Sequence, residues 1–587
     1  MNKTFKVIFS KTRGALVAVN EAAKTTSRAS VKTAVAGVCA ALLSVPAMAA
    51  GFADLAVCQD GNCVVDGQTV KGDGTVVILD NRAGATNKVQ SITIKDSTIS
   101  NTPFELCGSQ NISVSDTVFT GLVSGTKRGF WIYAHNGYKT DVATEKATEV
   151  ELNNVTFKDN TVSQGSLFVY DKTKLHMKGG EFVKNVTTDI GGGAMIKSGT
   201  IVFEDVLFQD NVAKNESKTT YAAGGAVYVD ITTGIQQNGK DSVGDVTFKL
   251  TKDMAYTGNR IVSPFEGTAD TYDWYAYPSG GFLFLDRYAR GAFDIADGVT
   301  LTIGTASATG EDDSIASALP NTKKDNGPEY STLVKKGAGT VVMHGSMDKY
   351  FGDFTVEAGT FDVRKAWTSL GNTTVTGGVL SASNGITLDT MKAGTNLDFI
   401  QSGKLTVSGE GTVTVTSLKL ANSAEATDKD RLPLVRIEKG GTLRADTIDV
   451  AANAGTVTLA GGTLETGSAQ VYNLGTKSVI NADASKVSSE KDLNKLALKP
   501  GIKAESGTLA LTDKGYYTTA SLKAMSGALK GGSASLSFLN SKLYKAAGET
   551  AELVDSWNFT HIGTVYIEHW DTPFLKHWDS PLRRRAS

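Results

Sequence analysis

Apolar and polar residues alternate in short runs along most of this chain, as in Val150-Glu151-Leu152, Leu175-His176-Met177 and Ile201-Val202-Phe203. Gly, Asn and Asp close each run, and no helical period interrupts the units, so the pattern predicts short β-strands joined by tight turns. The runs belong to a longer repeat. Phe157-x-x-Asn160, Phe182-x-x-Asn185, Phe208-x-x-Asn211 and Tyr256-x-x-Asn259 are each followed by a glycine and an apolar run: Gly165-Ser166-Leu167-Phe168-Val169, Gly192-Gly193-Ala194-Met195-Ile196, Gly224-Gly225-Ala226-Val227-Tyr228-Val229 and Gly280-Gly281-Phe282-Leu283. Phe119 with Gly129-Phe130-Trp131-Ile132 is a degenerate copy. A spacing of about 25 residues falls in the range of repeat architectures.

One such unit cannot bury its own apolar face. Stacked at about 4.8 Å per coil it can, and for strands of this length the solution is an all-β parallel β-helix. Phe157, Phe182, Phe208 and Tyr256 are then expected in an inward row, with Asn160, Asn185, Asn211 and Asn259 bonded along the axis as a turn ladder. A sandwich has no sequence period, and a propeller repeats nearer about 40 residues.

Composition sharpens the class. With 62 Gly and 10 Pro in 587 residues the chain suits turn-rich β-structure and is too long for one compact core. Residues 1–49 read as a leader. Lys3, Lys6, Lys11, Arg13, Lys24, Arg28 and Lys32 precede an apolar stretch, Thr33 to Val45, too short to span a membrane, and Ala47-Met48-Ala49 makes a cleavage site between Ala49 and Ala50. Removing these seven basic residues and Glu21 takes 59 basic and 61 acidic groups to 52 and 60, so the mature chain is acidic and offers no basic stripe for nucleic acid, nor any transmembrane helix.

The leader is about twice the usual length. Its opening, Met1-Asn2-Lys3-Thr4-Phe5-Lys6-Val7-Ile8-Phe9, with Ala18-Val19 and Glu21, resembles the extended signal peptide of type V secretion proteins. The Phe-x-x-Asn and Gly-Gly-Ala units over Phe119 to Leu285 resemble those of polymorphic outer-membrane autotransporters. Leu333-Val334-Lys335-Lys336-Gly337-Ala338-Gly339-Thr340, with Tyr350-Phe351-Gly352 and Ala358-Gly359-Thr360-Phe361, resembles the passenger-associated transport repeat. Gly440-Gly441-Thr442-Leu443 and Gly461-Gly462-Thr463-Leu464 continue it. The resemblance implies a right-handed, pectin-lyase-like solenoid, passage through the Sec translocon, and an outer-membrane β-barrel translocator as partner.

The expected organisation is a leader (1–49), an N-terminal cap (50–88), coils of the first grammar (89–306), a polar loop (307–330), coils of the second (331–481), a segment with one helix at Ala520 to Lys530 (482–556) and a Trp- and His-rich, disordered tail (557–587) that does not pack on the solenoid. No stretch after Pro500 is long enough for a twelve-strand barrel, which needs well over about 120 residues. The expectation is therefore a passenger without its translocator: cell-surface when intact, periplasmic as this chain stands. Cys39 leaves with the leader. Cys58 and Cys63 flank the turn Gln59-Asp60-Gly61-Asn62 and are expected to close a hairpin, with Cys107 able to pair with either. Polar inserts at 136–148, 217–220 and 232–245 are expected to project from one face.

No P-loop, nucleophile elbow or His-Glu-x-x-His motif is present, and the six His lack metal spacing, so no catalytic, cofactor-binding or metal residue is assigned. Asp171, Asp230 and Asp286 share one place in their units, with Ser198 in the fourth, and read as turn caps. A carboxylate row of the kind used by β-helical polysaccharide lyases is the sharper reading. The leading expectation is a non-enzymatic, adhesin-like passenger that binds a host or neighbouring-cell surface ligand through its solenoid face. The alternative is a secreted β-helical carbohydrate-active enzyme.

Overall fold

The computed structural model describes residues 56–466, apart from 82–84, 86–87, 109, 124–128, 134–146, 171–172, 218–221, 238–239, 265–278, 320–329 and 394–398, and short strands on either side of that span. The chain divides into two units, Met1–Met48 and Ala49–Ser587, one residue before the expected cleavage site. The first contains an antiparallel hairpin, Phe5–Ser10 with Ala15–Asn20.

The second is a parallel β-helix. Most coils contribute a first, a second and a third strand, and these stack in parallel on their counterparts in the neighbouring coils. Along the first strands Leu152 sits beside Met177, Met177 beside Phe203, Phe203 beside Phe248 and Phe248 beside Phe293. Third strands run in the same way from Val77–Asp80 through Phe104–Cys107, Phe130–Tyr133, Leu167–Tyr170, Ala194–Lys197 and Val227–Val229 to Leu283–Leu285 and Ile315–Ser317. The strand alternation is satisfied inside: the inward residues form one continuous apolar core from Cys63 to Leu464. Four coils carry a fourth short strand, Thr161–Gln164, Val186–Ile190, Val212–Lys214 and Arg260–Val262, stacked as a separate sheet.

Coiling starts earlier than the alternation suggests. Asn62–Asp66, Thr69–Lys71 and Val77–Asp80 already pair in parallel with Ser91–Lys95, Thr98–Ser100 and Phe104–Cys107, so a complete coil lies within the segment expected to be cap. The antiparallel strand Val57–Gln59 covers the outer edge of Asn62–Asp66, which protects an edge that parallel stacking leaves open. The stretch 307–330, expected as a loop, contains the third strand Ile315–Ser317; Ile315 and Ala316 are fully buried, and an apolar Ile-Ala pair inside a polar sequence is enough to continue the coil.

Beyond 466, Ile502–Leu511 pairs in parallel with Thr456–Thr466, and Ser533–Phe538 with Ile502–Leu511. The expected helix at 520–530 lies outside the described residues. Of the tail, Val565–Ile567 is in parallel register with Leu536, Ser537 and Phe538, and the rest lies outside the described residues. No helix among the described residues is long and apolar enough to cross a membrane.

Candidate functional site

The repeated aromatics lie in one inward row. Phe119, Phe157, Phe182 and Phe208 stack with centroid separations of 5.2, 4.9 and 5.0 Å and interplanar angles of 13°, 10° and 4°. Tyr256 ends the row edge-on, 5.4 Å from Phe208. The four asparagines are buried at the following turn and run as a directed chain. Asn160 Nδ2 donates to Asn185 Oδ1 at 3.0 Å, Asn185 Nδ2 to Asn211 Oδ1 at 2.9 Å, and Asn211 Nδ2 to Asn259 Oδ1 at 3.0 Å. The second N–H of each amide goes to the carbonyl of the preceding coil's aromatic, such as Phe157 O from Asn185 at 2.8 Å and Phe182 O from Asn211 at 2.8 Å. An amide can do this because it both donates and accepts along one axis.

Both ends of the chain of amides are terminated by residues outside the Phe-x-x-Asn motif. Leu122 holds the ladder position before Asn160, and its backbone N–H donates to Asn160 Oδ1 at 3.2 Å. At the far end Asp313 Oδ1 accepts from Asn259 Nδ2 at 3.1 Å and from Asn259 N at 2.9 Å, while Oδ2 accepts from Gly258 N at 2.9 Å. A carboxylate, which only accepts, stops a one-way ladder. Burial pushes its carboxyl up to about 6 against these three donors.

Cys58 and Cys63 are joined by a disulfide across the cap hairpin. Cys107 is buried, and its thiol donates to the Tyr133 hydroxyl at 2.7 Å, which in turn donates to Glu105 Oε1 at 2.8 Å. Burial is the main reason that the Tyr133 hydroxyl is pushed well up.

The surface with the most distinctive chemistry is the outward side of the third strands. One column there passes from Trp131 to Phe168, Met195, Tyr228, Phe284 and Ala316 by successive register. The next passes from Cys107 to Tyr133, Tyr170, Lys197 and Asp230. Phe168, Met195, Tyr228 and Phe284 are at most 2% exposed despite pointing away from the core, and form a second apolar cluster against which Trp131 and Tyr170 pack half-buried. Outward positions of the first strands differ in kind. Glu204 there gathers Lys178 at 3.1 Å, Lys249 at 3.0 Å and His176 at 3.3 Å, and the Lys249 bond is the main reason its carboxyl falls to about 2.

Two antiparallel arms follow third strands in the chain, Ile231–Gln237 with Lys240–Val243 and Thr390–Ala393 with Phe399–Ser402.

Two of the unit-ending acids meet on this face. Asp286 is buried and hydrogen-bonded side chain to side chain with Asp230 one coil back. The Tyr228 hydroxyl is 3.3 Å from Asp286 Oδ2, the Arg287 N–H donates to Asp286 Oδ1 at 2.7 Å, and Lys197 Nζ is 3.1 Å from Asp230. Two carboxyls bonded to one another must hold a proton between them; burial first and the Asp230 charge second push Asp286 up to about 8. Asp171 lies outside the described residues, and Ser198 is buried. Among the described residues no three His, Cys, Asp or Glu are grouped to hold a metal ion.

Residues 1–50 match the family described as Extended Signal Peptide of Type V secretion system. Over 268 residues the chain is 22% identical to the probable autotransporter YfaL of Escherichia coli (strain K12), a match that covers 42% of this chain and 19% of that protein. The chain thus spans about a fifth of its relative's length. No solved structure matches. The leader and the relative support a type V secretion passenger, exported to the cell envelope or its surface.

Proposed function

We propose that the mature chain is an adhesin-like passenger that binds a ligand on a host or neighbouring cell through the outward face of its third strands. The observation that carries this reading is the chemistry of that face: half-buried Trp131 and Tyr170 sit on a floor of buried Phe168, Met195, Tyr228 and Phe284. Half-buried aromatics anchored on rigid strands are the residue types that dominate binding energy at interfaces, and an array on a solenoid offers an extended surface. The translocator that this reading requires is an outer-membrane β-barrel, carried by this polypeptide or by a partner.

The test is binding of the purified mature chain to intact cells, with Trp131→Ala and Tyr170→Ala compared with an outward substitution on the first strands, Lys174→Ala. The expected result is a loss of at least about tenfold in affinity for the first two, as for interface anchors, and none for the third. Equal binding by all three variants would contradict the reading. A carbohydrate-active enzyme is the second reading, and the Asp230–Asp286 pair favours it, because a protonated carboxyl beside a second acid is a general-acid arrangement. Turnover in a glycan-degradation screen that Asp286→Asn abolishes would establish it.

A further inference from the structure

The inward row of the first strands is apolar for coil after coil, with one exception. Phe203, Phe248 and Phe293 precede it and Val356, Val375 and Val407 follow it. Between them, in register with Phe293 on one side and Val356 on the other, stands Lys335, fully buried. Its ammonium has three N–H donors and meets three main-chain carbonyls: Lys336 O at 2.7 Å, Gly337 O at 2.8 Å and Ala358 O at 3.1 Å. The first two belong to the turn of its own coil and the third to the turn of the next. Glycine is required around them. A Cβ on Gly359, at φ +65°, would lie 2.7 Å from Lys335 Nζ and 2.2 Å from Gly339 O, and one on Gly337, at φ +66°, would lie 2.2 Å from Ile295 O.

A lone charge in an apolar row costs several kcal/mol in general, unless its bonds are complete and well placed. Here they are complete, and they join two coils at the point where the row passes from Phe293 to Val356. Burial pushes the Lys335 ammonium down to about 8, with Asp294 pulling the other way.

We propose that Lys335 is a built-in cation that couples the coil of 332–343 to the coil of 353–363, and that the carbonyl nest, emptied by a shorter side chain, binds a small alkylammonium ion in its place. The nest, not the lysine stem, is the binding element. It has the features of a cation site: converging carbonyl oxygens, a position closed to solvent, and glycines that let the backbone turn inward.

The test uses the full mature chain and amide hydrogen exchange read by mass spectrometry in three windows, 332–343, 353–363 and a reference at 150–170. Lys335→Ala is expected to speed exchange about tenfold or more in the first two windows, the scale of one lost charged hydrogen-bond partner, and to leave the reference unchanged. Propylammonium chloride should restore protection saturably, whereas propanol and potassium chloride should not. Lys335→Met, which keeps the stem and loses the charge, should behave as the unrescued Ala variant. Wild-type protection in Lys335→Met, acceleration in 332–343 alone, or rescue by propanol as good as by propylammonium would each overturn the proposal. If Lys335→Ala does not fold, propylammonium present during refolding must raise the folded yield, and no rise would equally overturn it.

Discussion

The coils of 150–262 and those of 332–464 stack in one solenoid but hold themselves together differently. In the first group, the position paired coil to coil is Phe157, Phe182 and Phe208, each followed three residues later by a laddered Asn. In the second, the same inward row continues as Met343, Val363, Ala382 and Val415, and the ladder has ended at Asp313. In the first group the ladder advances by 25 residues from Asn160 to Asn185 and by 26 to Asn211, and then by 48 to Asn259 across the arm of 231–243. In the second, Thr340 meets Thr360 after twenty. The difference is the extra short strand at 161–164, 186–190 and 212–214, which follows each Asn. The longer coils of the first group bury a turn whose polar groups are met by the laddered amides, and the second group, which still buries Phe354, Phe361 and Trp367, has no such ladder among the described residues. Where the two meet, the structure uses a carboxylate to stop the ladder and, in the next coil, an ammonium to close a turn.

The largest expected effect is on the ring stack. Phe182→Ala should cost about 3–5 kcal/mol, the range for a buried aromatic truncated in a core. Because each coil contacts only its neighbours, the loss should be confined to the coils on either side. Urea unfolding combined with hydrogen exchange checks both. Val363→Ala, at the matching position of a coil in the second group, should cost about 2 kcal/mol, and an equal cost at both positions would erase the distinction.

Next is the ladder. Asn211→Leu removes one rung, takes the Asn211 side-chain bonds from Phe182 O, Asn185 Nδ2 and the Asn185 N–H, and leaves Asn259 Oδ1 only the Asn211 backbone N–H. A loss of about 2–4 kcal/mol is expected from stranded buried polar groups, with faster exchange at the Asn185 and Asn259 turns. A smaller effect belongs to Leu122→Asn, which offers the ladder a further rung at its open end. Lost apolar contact and gained amide bonds nearly offset, and a change within about 1 kcal/mol is expected.

The pH dependence follows from Asp286. Its folded value, about 8, lies above that of an unfolded aspartate, so the folded state holds the extra proton between them. That contribution is complete below about 4 and is lost as pH rises through 8. Glu204, held near 2 by Lys249, acts in the opposite sense: its contribution is present above about 4.5 and lost as pH falls toward 2. The urea midpoint should fall between pH 5 and pH 9, and Asp286→Asn should flatten that fall. An unchanged slope in Asp286→Asn would place the pH dependence elsewhere.

The rows of Phe and Asn were legible because repetition made them so: a residue recurring at a fixed place in consecutive coils stands in one row. What broke the repetition was hidden. Asp313 occupies an Asn position but lies in a stretch with almost nothing to bury, and it reads as loop. Lys335 was visible only as a letter in a motif; its inward direction depends on register. The outward apolar column left a signal that could have been read. Leu167-Phe168-Val169-Tyr170 and Ala194-Met195-Ile196 are unbroken apolar runs, and a strand buried on both faces shows no alternation. The disulfide of Cys58 with Cys63 could be anticipated from their spacing, while the first coil at 62–80 could not, since its strands are too short to show a period.

The central claim is that position along the solenoid counts coils and not residues. Glu149, Lys174, Thr200, Asp245 and Arg290 stand in register on successive first strands, and Thr332, Asp353 and Asn372 continue the row. In a Cys107→Ser background, spin labels at Glu149 and Arg290 are four coils apart and should give a distance of about 19 Å; labels at Glu149 and Asn372, seven coils apart, should give about 34 Å, both from a coil rise of about 4.8 Å. Distances that rise by one increment per coil, despite 25 residues in one step and 45 in another, are the predicted result. Distances that follow residue number, or that fail to grow from Arg290 to Asn372, would contradict the account.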